Sequence, residues 1–260
     1  MADFNNYQNR MARAGAQSDA AIDQGLRAYM LKVYNLMAVG LGITGIAAYG
    51  ISALATTTNT AAAVAQLPNG IMLTALGAAI YGSPLRWVIM LAPLAMVFFL
   101  SFRVHKMSVG AAQTTFWGYA ALMGLSLSSI FIVYTAQSIV QTFFITAASF
   151  GALSLYGYTT KKSLSGMGSF LIMGLFGLII ASIVNIFLAS SALGFAISAI
   201  GVLIFAGLTA YDTQKIKEMY FDGDDVAVMG RKAIMGALTL YLDFINLFTF
   251  LLQFLGNRNN

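Results

Sequence analysis

The sequence predicts an all-α membrane protein built as a seven-transmembrane-helix bundle. Three observations carry this: hydrophobic residues make up 59% of the chain, charged residues only 9%, and the apolar residues fall in long unbroken runs. An ordinary globular chain carries about 25% charged residues, so here lipid has to be the solvent. Backbone in hydrocarbon must satisfy its own hydrogen bonds, which a helix does within one segment, and with 3 prolines in the chain little interrupts the runs. A transmembrane β-barrel would alternate polar and apolar residues over segments of about 10 residues. Phe170-Leu171-Ile172-Met173-Gly174-Leu175-Phe176 does not alternate.

Apolar runs long enough to cross ~30 Å of hydrocarbon lie at about 32 to 54, 85 to 102, 112 to 134, 140 to 158, 168 to 189, 192 to 213 and 234 to 255. Residues 1–28 form a polar, cytosolic N-terminal tail with no apolar h-region, so no cleavable signal peptide is expected, and residues 29–260 form the membrane domain. Arg27 and Lys32 precede the first run, Arg103 and Lys106 follow the second, and Lys161 and Lys162 follow the fourth. Lys215, Lys217, Arg231 and Lys232 separate the sixth from the seventh. This alternation predicts a cytoplasmic N-terminus by the positive-inside rule. The linker from Ala55 to Ser83 contains an apolar stretch from Gly70 to Tyr81, too short to span, which is expected to be re-entrant or interfacial. Ser83-Pro84 reads as the start of the second span, with serine as cap and proline in the first turn, and Trp87 as an interfacial anchor.

The net charge of +5 sits in short clusters between apolar runs, which fits loop orientation and no nucleic acid. No cysteine is present, so disulfides and thiolate chemistry are excluded.

Seven of the nine acidic residues lie in the tail or the loop near Asp222-Gly223-Asp224-Asp225; Asp212 and Asp243 lie within spans. An ionisable side chain at membrane depth is costly, must face the bundle interior, and marks a functional site by default. With Lys217 and Lys232 as boundary markers, the helical rise puts Asp212 roughly 8 Å and Asp243 roughly 16 Å deep. That offset counts against a pair unless the sixth helix continues past Lys217 toward Tyr220. Thr239, Asp243, Asn246 and Gln253 recur at helical spacing as one polar stripe on the seventh span. Thr209 lies three residues before Asp212, and Ser182 and Asn185 are three apart on the fifth span. The bland alternative for these neutral residues is interhelical hydrogen bonding worth about 0.6 kcal/mol each.

Two carboxylates brought together repel and are desolvated, so the pair is expected to share a proton near neutral pH. Protonated, it would hold spans six and seven together. Deprotonated, it would repel and offer oxygens to Ca²⁺, as a permeant or bound ion. Tyr211-Asp212 also resembles half of a presenilin-type aspartyl protease, but Leu240-Tyr241-Leu242-Asp243 lacks the Gly-x-Gly-Asp that chemistry needs. Gly124-Leu125-Ser126-Leu127 lacks a rhomboid Gly-x-Ser-Gly, and the one histidine, His105, falls in a basic loop. Asp222 to Asp225 is too short for an EF-hand, whose twelfth position here is Ala233. No enzyme and no required cofactor is expected.

Ala210-Tyr211-Asp212-Thr213-Gln214-Lys215-Ile216 and Leu240-Tyr241-Leu242-Asp243-Phe244-Ile245-Asn246-Leu247-Phe248, with Val33-Tyr34-Asn35 in the first span, resemble the signatures of the Bax inhibitor-1 family, over residues 27 to 256. The resemblance implies a bundle with the C-terminal helix central and a pH-sensitive calcium leak channel governed by an aspartate dyad, Asp212 and Asp243. It also implies a latching arginine at the end of the second span, where Arg103 stands. The alternative it leaves open is a non-conducting membrane regulator, since bacterial members are linked to a membrane-bound AAA protease. A bacterial inner membrane is the expected location.

Overall fold

The computed structural model describes the backbone of residues 2–259 and the side chains of residues 22–259, so most of the expected tail lies outside the described side chains. Among the described residues, seven helices are long and apolar enough to cross a bilayer. They are α1 (Ala2–Ala55), α3 (Leu85–Arg103), α4 (Val109–Leu127) continued by the short α5 (Ile130–Val133), α6 (Ala136–Thr159), α7 (Ser165–Leu188), α8 (Ser191–Glu218) and α9 (Val226–Leu255). Each expected run is found as a helix. Four of them, α4, α6, α8 and α9, begin on side-chain caps that satisfy an N–H left free in the first turn. Ser108 Oγ accepts from Ala111 N–H, Thr135 Oγ1 from Ser138 N–H, Ser190 Oγ from Leu193 N–H, and Asp225 Oδ1 from Val228 N–H at 2.7 Å.

The linker does not cross. Thr56–Thr57 (β1), Ala65–Gln66 (β2) and Met72–Leu73 (β3) form a small antiparallel sheet in the order β1-β3-β2. The apolar stretch expected to be re-entrant divides into β3, the one-turn α2 (Ala75–Gly77) and a π-turn (Ala78–Gly82). Thr74 Oγ1 donates to Leu54 O at the end of α1, and Tyr81 donates to Ser128 Oγ at the break between α4 and α5. The segment is therefore a cap over the end of the bundle where α1 finishes. Ser83 Oγ accepts from Leu85 N–H, the cap its sequence position predicts, and Trp87 is exposed beneath Arg86 at the same end.

α9 is the most deeply buried of the seven helices. It belongs to both apolar clusters: Leu238, Leu240, Tyr241 and Phe244 pack with α1, α4 and α6, while Leu247 and Leu251 pack with Leu171 and Leu178 of α7 and Phe205 of α8. The C-terminal helix is thus the shared wall of two half-cores. Small residues allow the closest helix crossings, as in other membrane bundles. A Cβ on Gly124 would meet Thr44 O and Ala47 Cβ of α1, and one on Gly157 would run into the backbone carbonyl of Ala210 in α8.

Overpacking of this kind costs about 1–3 kcal/mol, so Gly157→Ala is expected to lower the melting temperature of the detergent-purified protein. Gly151→Ala, on the same helix but with nothing within 4 Å of its Cβ, is expected not to lower it. Thermal unfolding of the two variants side by side checks the tight α6–α8 crossing; equal melting would contradict it.

Candidate functional site

Four contacts fix how α8 and α9 lie side by side. Ser198 Oγ donates to Gln253 Oε1, Gly201 lies against the Phe250 ring, Ile216 lies against Gly236, and Lys232 Nζ donates to Met219 O. The helices run antiparallel in near-constant register, which places Asp212 level with Thr239 and Asp243 level with Leu208, next to Thr209. The two aspartates are about one turn, ~5 Å, apart along the helices. A Cα–Cβ bond tilts toward the N-terminus of its own helix. In antiparallel helices of this register, Asp212 and Asp243 lean toward each other. Their carboxyl groups are close enough to act on each other as a pair.

The larger offset expected from sequence arose from taking Lys217 and Lys232 as equal in depth. Lys232 is level with Met219 instead, and α8 does continue past Lys217, to Glu218.

Asp243 is 4% exposed, and its Oδ2 has no hydrogen-bond partner among the described residues. Asp212 is half-buried. The flanking threonines cannot relieve them as donors: Thr209 Oγ1 gives its hydrogen to Phe205 O at 2.7 Å and Thr239 Oγ1 gives its own to Met235 O at 3.1 Å. A hydroxyl so committed offers only lone pairs. Two ionised carboxylates have no hydrogen to share either, so contact between them is a hydrogen bond only when one holds a proton. Lys215, one turn nearer the basic end of α8, lies over the Tyr211 ring at 5.8 Å.

The remaining candidates fall unequally. Asn246 is part-buried and spends its Nδ2 on Leu242 O of its own helix, so that Thr239 and Asn246 of the stripe back-bond while Asp243 and Gln253 find partners on α8. Asn185 does not line the bundle beside the pair. Its Oδ1 accepts from Ser190 N–H in the turn where Ala189 adopts a left-handed φ of 48° and α7 gives way to α8. Arg103 is exposed at the end of α3 and makes no hydrogen bond or ion pair with either carboxylate among the described residues. Leu100 and Val104, both fully buried, occupy the inward face there. The expected latch is not engaged in this conformation. As a calcium site, the pair supplies at most four of the 6–8 oxygens that Ca²⁺ takes, and no group of three or more His, Cys, Asp or Glu gathers among the described residues.

Sequence reasoning missed how the neighbours of Asp212 are used. Thr213 Oγ1 donates to Thr209 O and bonds Ser154 Oγ of α6 at 2.9 Å, and Ser154 in turn bonds the Tyr34 hydroxyl of α1 at 2.7 Å. Gln214 accepts from Leu164 N–H at 2.7 Å and donates to Lys162 O, clamping the α6–α7 turn. Tyr211 covers Gly168 of α7. Four consecutive residues thus address four different neighbours. The only signal for this in the sequence is that they are consecutive in a motif.

The fold and the site define a polytopic α-helical membrane protein with a carboxyl pair enclosed between its last two spans. The family model described as inhibitor of apoptosis-promoting Bax1 matches residues 26–260, and the chain belongs to this Bax inhibitor-1 family. It is 48% identical over 237 residues to the inner membrane protein YbhL of Escherichia coli K12, covering 90% of this chain and 93% of that one. A Rickettsia prowazekii protein is 49% identical over 92% of this chain and 93% of its own length, and a membrane protein of Streptococcus pyogenes 35% identical over 91% and 96%.

An uncompensated buried polar group costs about 1–3 kcal/mol, and Asn in place of Asp243 supplies N–H donors without charge. Asp243→Asn is therefore expected to raise the melting temperature under conditions in which both wild-type carboxyls would be ionised, and to flatten the dependence of melting temperature on pH. A pH series of thermal melts that stays parallel for wild type and variant would contradict the shared proton.

Proposed function

We propose that this protein is a non-enzymatic, pH-sensitive calcium leak channel of the inner membrane, with the Asp212–Asp243 pair as its proton-operated latch and its N-terminus in the cytoplasm. The observation that carries the reading is the pairing of two carboxyl groups between α8 and α9, with no donor to the buried Asp243 Oδ2 among the described residues. With the proton in place, the hydrogen bond between the carboxyls holds α8 against α9. When the proton leaves, two negative charges face each other in a medium that screens them poorly, and the helices are driven apart. Lys215, one turn along α8 toward the basic end, lies over the Tyr211 ring and is a cation on that side of the pair. The same ionised oxygens, with the lone pairs of Thr209 and Thr239 and with water, form a transient oxygen lining of the kind Ca²⁺ prefers. They number too few to trap it.

The orientation rests on charge. Arg27, Arg103, Lys106, Lys161, Lys162, Lys215, Lys217, Arg231 and Lys232 fall at one end of the bundle, and Arg86 and Arg258 at the other, the bias that retains basic loops in the cytoplasm.

Calcium entry into dye-loaded proteoliposomes tests the proposal. Wild-type flux is expected to rise from mildly acidic to mildly alkaline pH. Asp243→Asn and Asp212→Asn are each expected to abolish that slope while the protein still melts cooperatively. An unchanged slope in both variants would remove the pair from the mechanism. Absent flux, with a stoichiometric membrane protease co-purifying, would favour a non-conducting regulator.

A further inference from the structure

The bundle has a gap on its lipid-facing side that the aspartate pair does not involve. Between α1 and α6 lies an elongated cavity of about 670 Å³. The two helices do not pack closely there and are bridged by the bond from Tyr34 to Ser154. Arg27 and Tyr158 form the mouth at the basic end, and Met37 and Phe150 lie at the inner end. Along α1 the cavity runs from Arg27 to Ala38. At 1.5 Å per residue this is about 16 Å, the depth of one leaflet of a ~30 Å hydrocarbon core.

Its chemistry is that of an amphiphile site. The inner part offers no free donor. Thr213 gives its hydrogen to Thr209 O, so Ser154 donates to Thr213 and Tyr34 donates to Ser154, and the hydroxyl chain is consumed within the protein. What remains for a ligand is apolar surface, including methionines that adapt to an irregular chain. The mouth is cationic. Arg27 is exposed there, and Lys217 lies over the Tyr158 ring at 5.2 Å while donating to Tyr158 O at 2.8 Å. Asp23, one turn further out on α1, makes no ion pair with Arg27 among the described residues. No acidic side chain lines the cavity among those residues. In a bilayer a lateral apolar gap left empty forfeits its van der Waals contacts, and the chains available to fill it are acyl chains.

We infer that this groove is a binding site for one anionic phospholipid, with an acyl chain between α1 and α6 and the phosphate at Arg27. The guanidinium fork suits a phosphate oxygen pair, and basic pockets between spans on the cytoplasmic side are where such headgroups are held. The site is independent of whether the protein conducts ions.

Gly151 supplies the decisive variant. It lines the groove, and a Cβ there meets nothing within 4 Å, so Gly151→Leu fills the chain site without touching the helix crossings. The full-length protein in detergent, titrated with phosphatidylglycerol or phosphatidylcholine of identical acyl chains and read by native mass spectrometry, is expected to retain a single phosphatidylglycerol in preference to phosphatidylcholine. Gly151→Leu is expected to abolish this retention. Arg27→Gln is expected to weaken it roughly fivefold, the weight of one basic residue against an anionic lipid, and to erase the headgroup preference. Lys161→Gln, a charge at the same end outside the groove, is expected to leave it unchanged, and inorganic phosphate is expected not to displace the lipid. Equal retention of both lipids by wild type, retention by Gly151→Leu, or equal losses in Arg27→Gln and Lys161→Gln would each overturn the assignment.

Discussion

The antiparallel register of α8 and α9 is the constraint on which the rest of this molecule depends. It is fixed at both ends, by Ser198 on Gln253 at one and Lys232 on Met219 O at the other, with Ile216 seated on Gly236 between them. A register shifted by one turn would bring Asp212 and Asp243 level, or carry them two turns apart. As built, the one-turn stagger is closed by the lean of each side chain toward its own N-terminus. The result is a polar contact in which Asp243 is buried and Asp212 half-buried.

The α8–α9 seam differs in kind from the other contacts of α8. Toward α6 the helix is tied by Thr213 to Ser154 and by the close approach at Gly157. Toward the α6–α7 turn it is tied by both ends of Gln214, and toward α7 by Tyr211 on Gly168. In the middle of the seam toward α9, by contrast, apolar packing acts alone apart from the carboxyl pair. Hydrogen bonds between spans are worth about 0.6 kcal/mol on average, whereas two unscreened like charges at contact repel by several times that, even at an effective dielectric of about 20. A change in charge at the pair acts on a side of α8 that has no other polar tie at that depth among the described residues.

The fold was legible because lipid imposes a length and a composition that the sequence displays directly: each run became a helix, and the basic clusters gathered at one end. What proved illegible were pairings across long sequence separation. Thr209 and Thr239 were placed beside the aspartates by helical spacing alone, yet nothing in that spacing says that their hydrogens go to Phe205 O and Met235 O. Asn185 looked like a bundle-lining amide because it lies one turn from Ser182, but a turn with a left-handed alanine needed its oxygen more. The linker's β-pairing was hidden because strands of two residues carry no period, and Arg103 was assigned by likeness to a family pattern, where local packing of Leu100 and Val104 decides which side faces inward.

Three segments far apart in sequence, around Tyr34, Asp212 and Asp243, were singled out separately and prove to be one assembly. Tyr34 reaches Thr213 through Ser154, Thr213 is the residue after Asp212, and Asp212 meets Asp243. The first span is therefore joined to the aspartate pair by a chain of hydroxyls that ends on a backbone carbonyl of α8. Such a chain cannot deliver a proton to the pair, since its last hydrogen is committed to Thr209 O. Its effect is mechanical: it sets the spacing between α1, α6 and α8. The wall of the lipid-facing groove and the helix carrying Asp212 are consequently tied through one side chain, Ser154, which lines the groove and bonds Thr213.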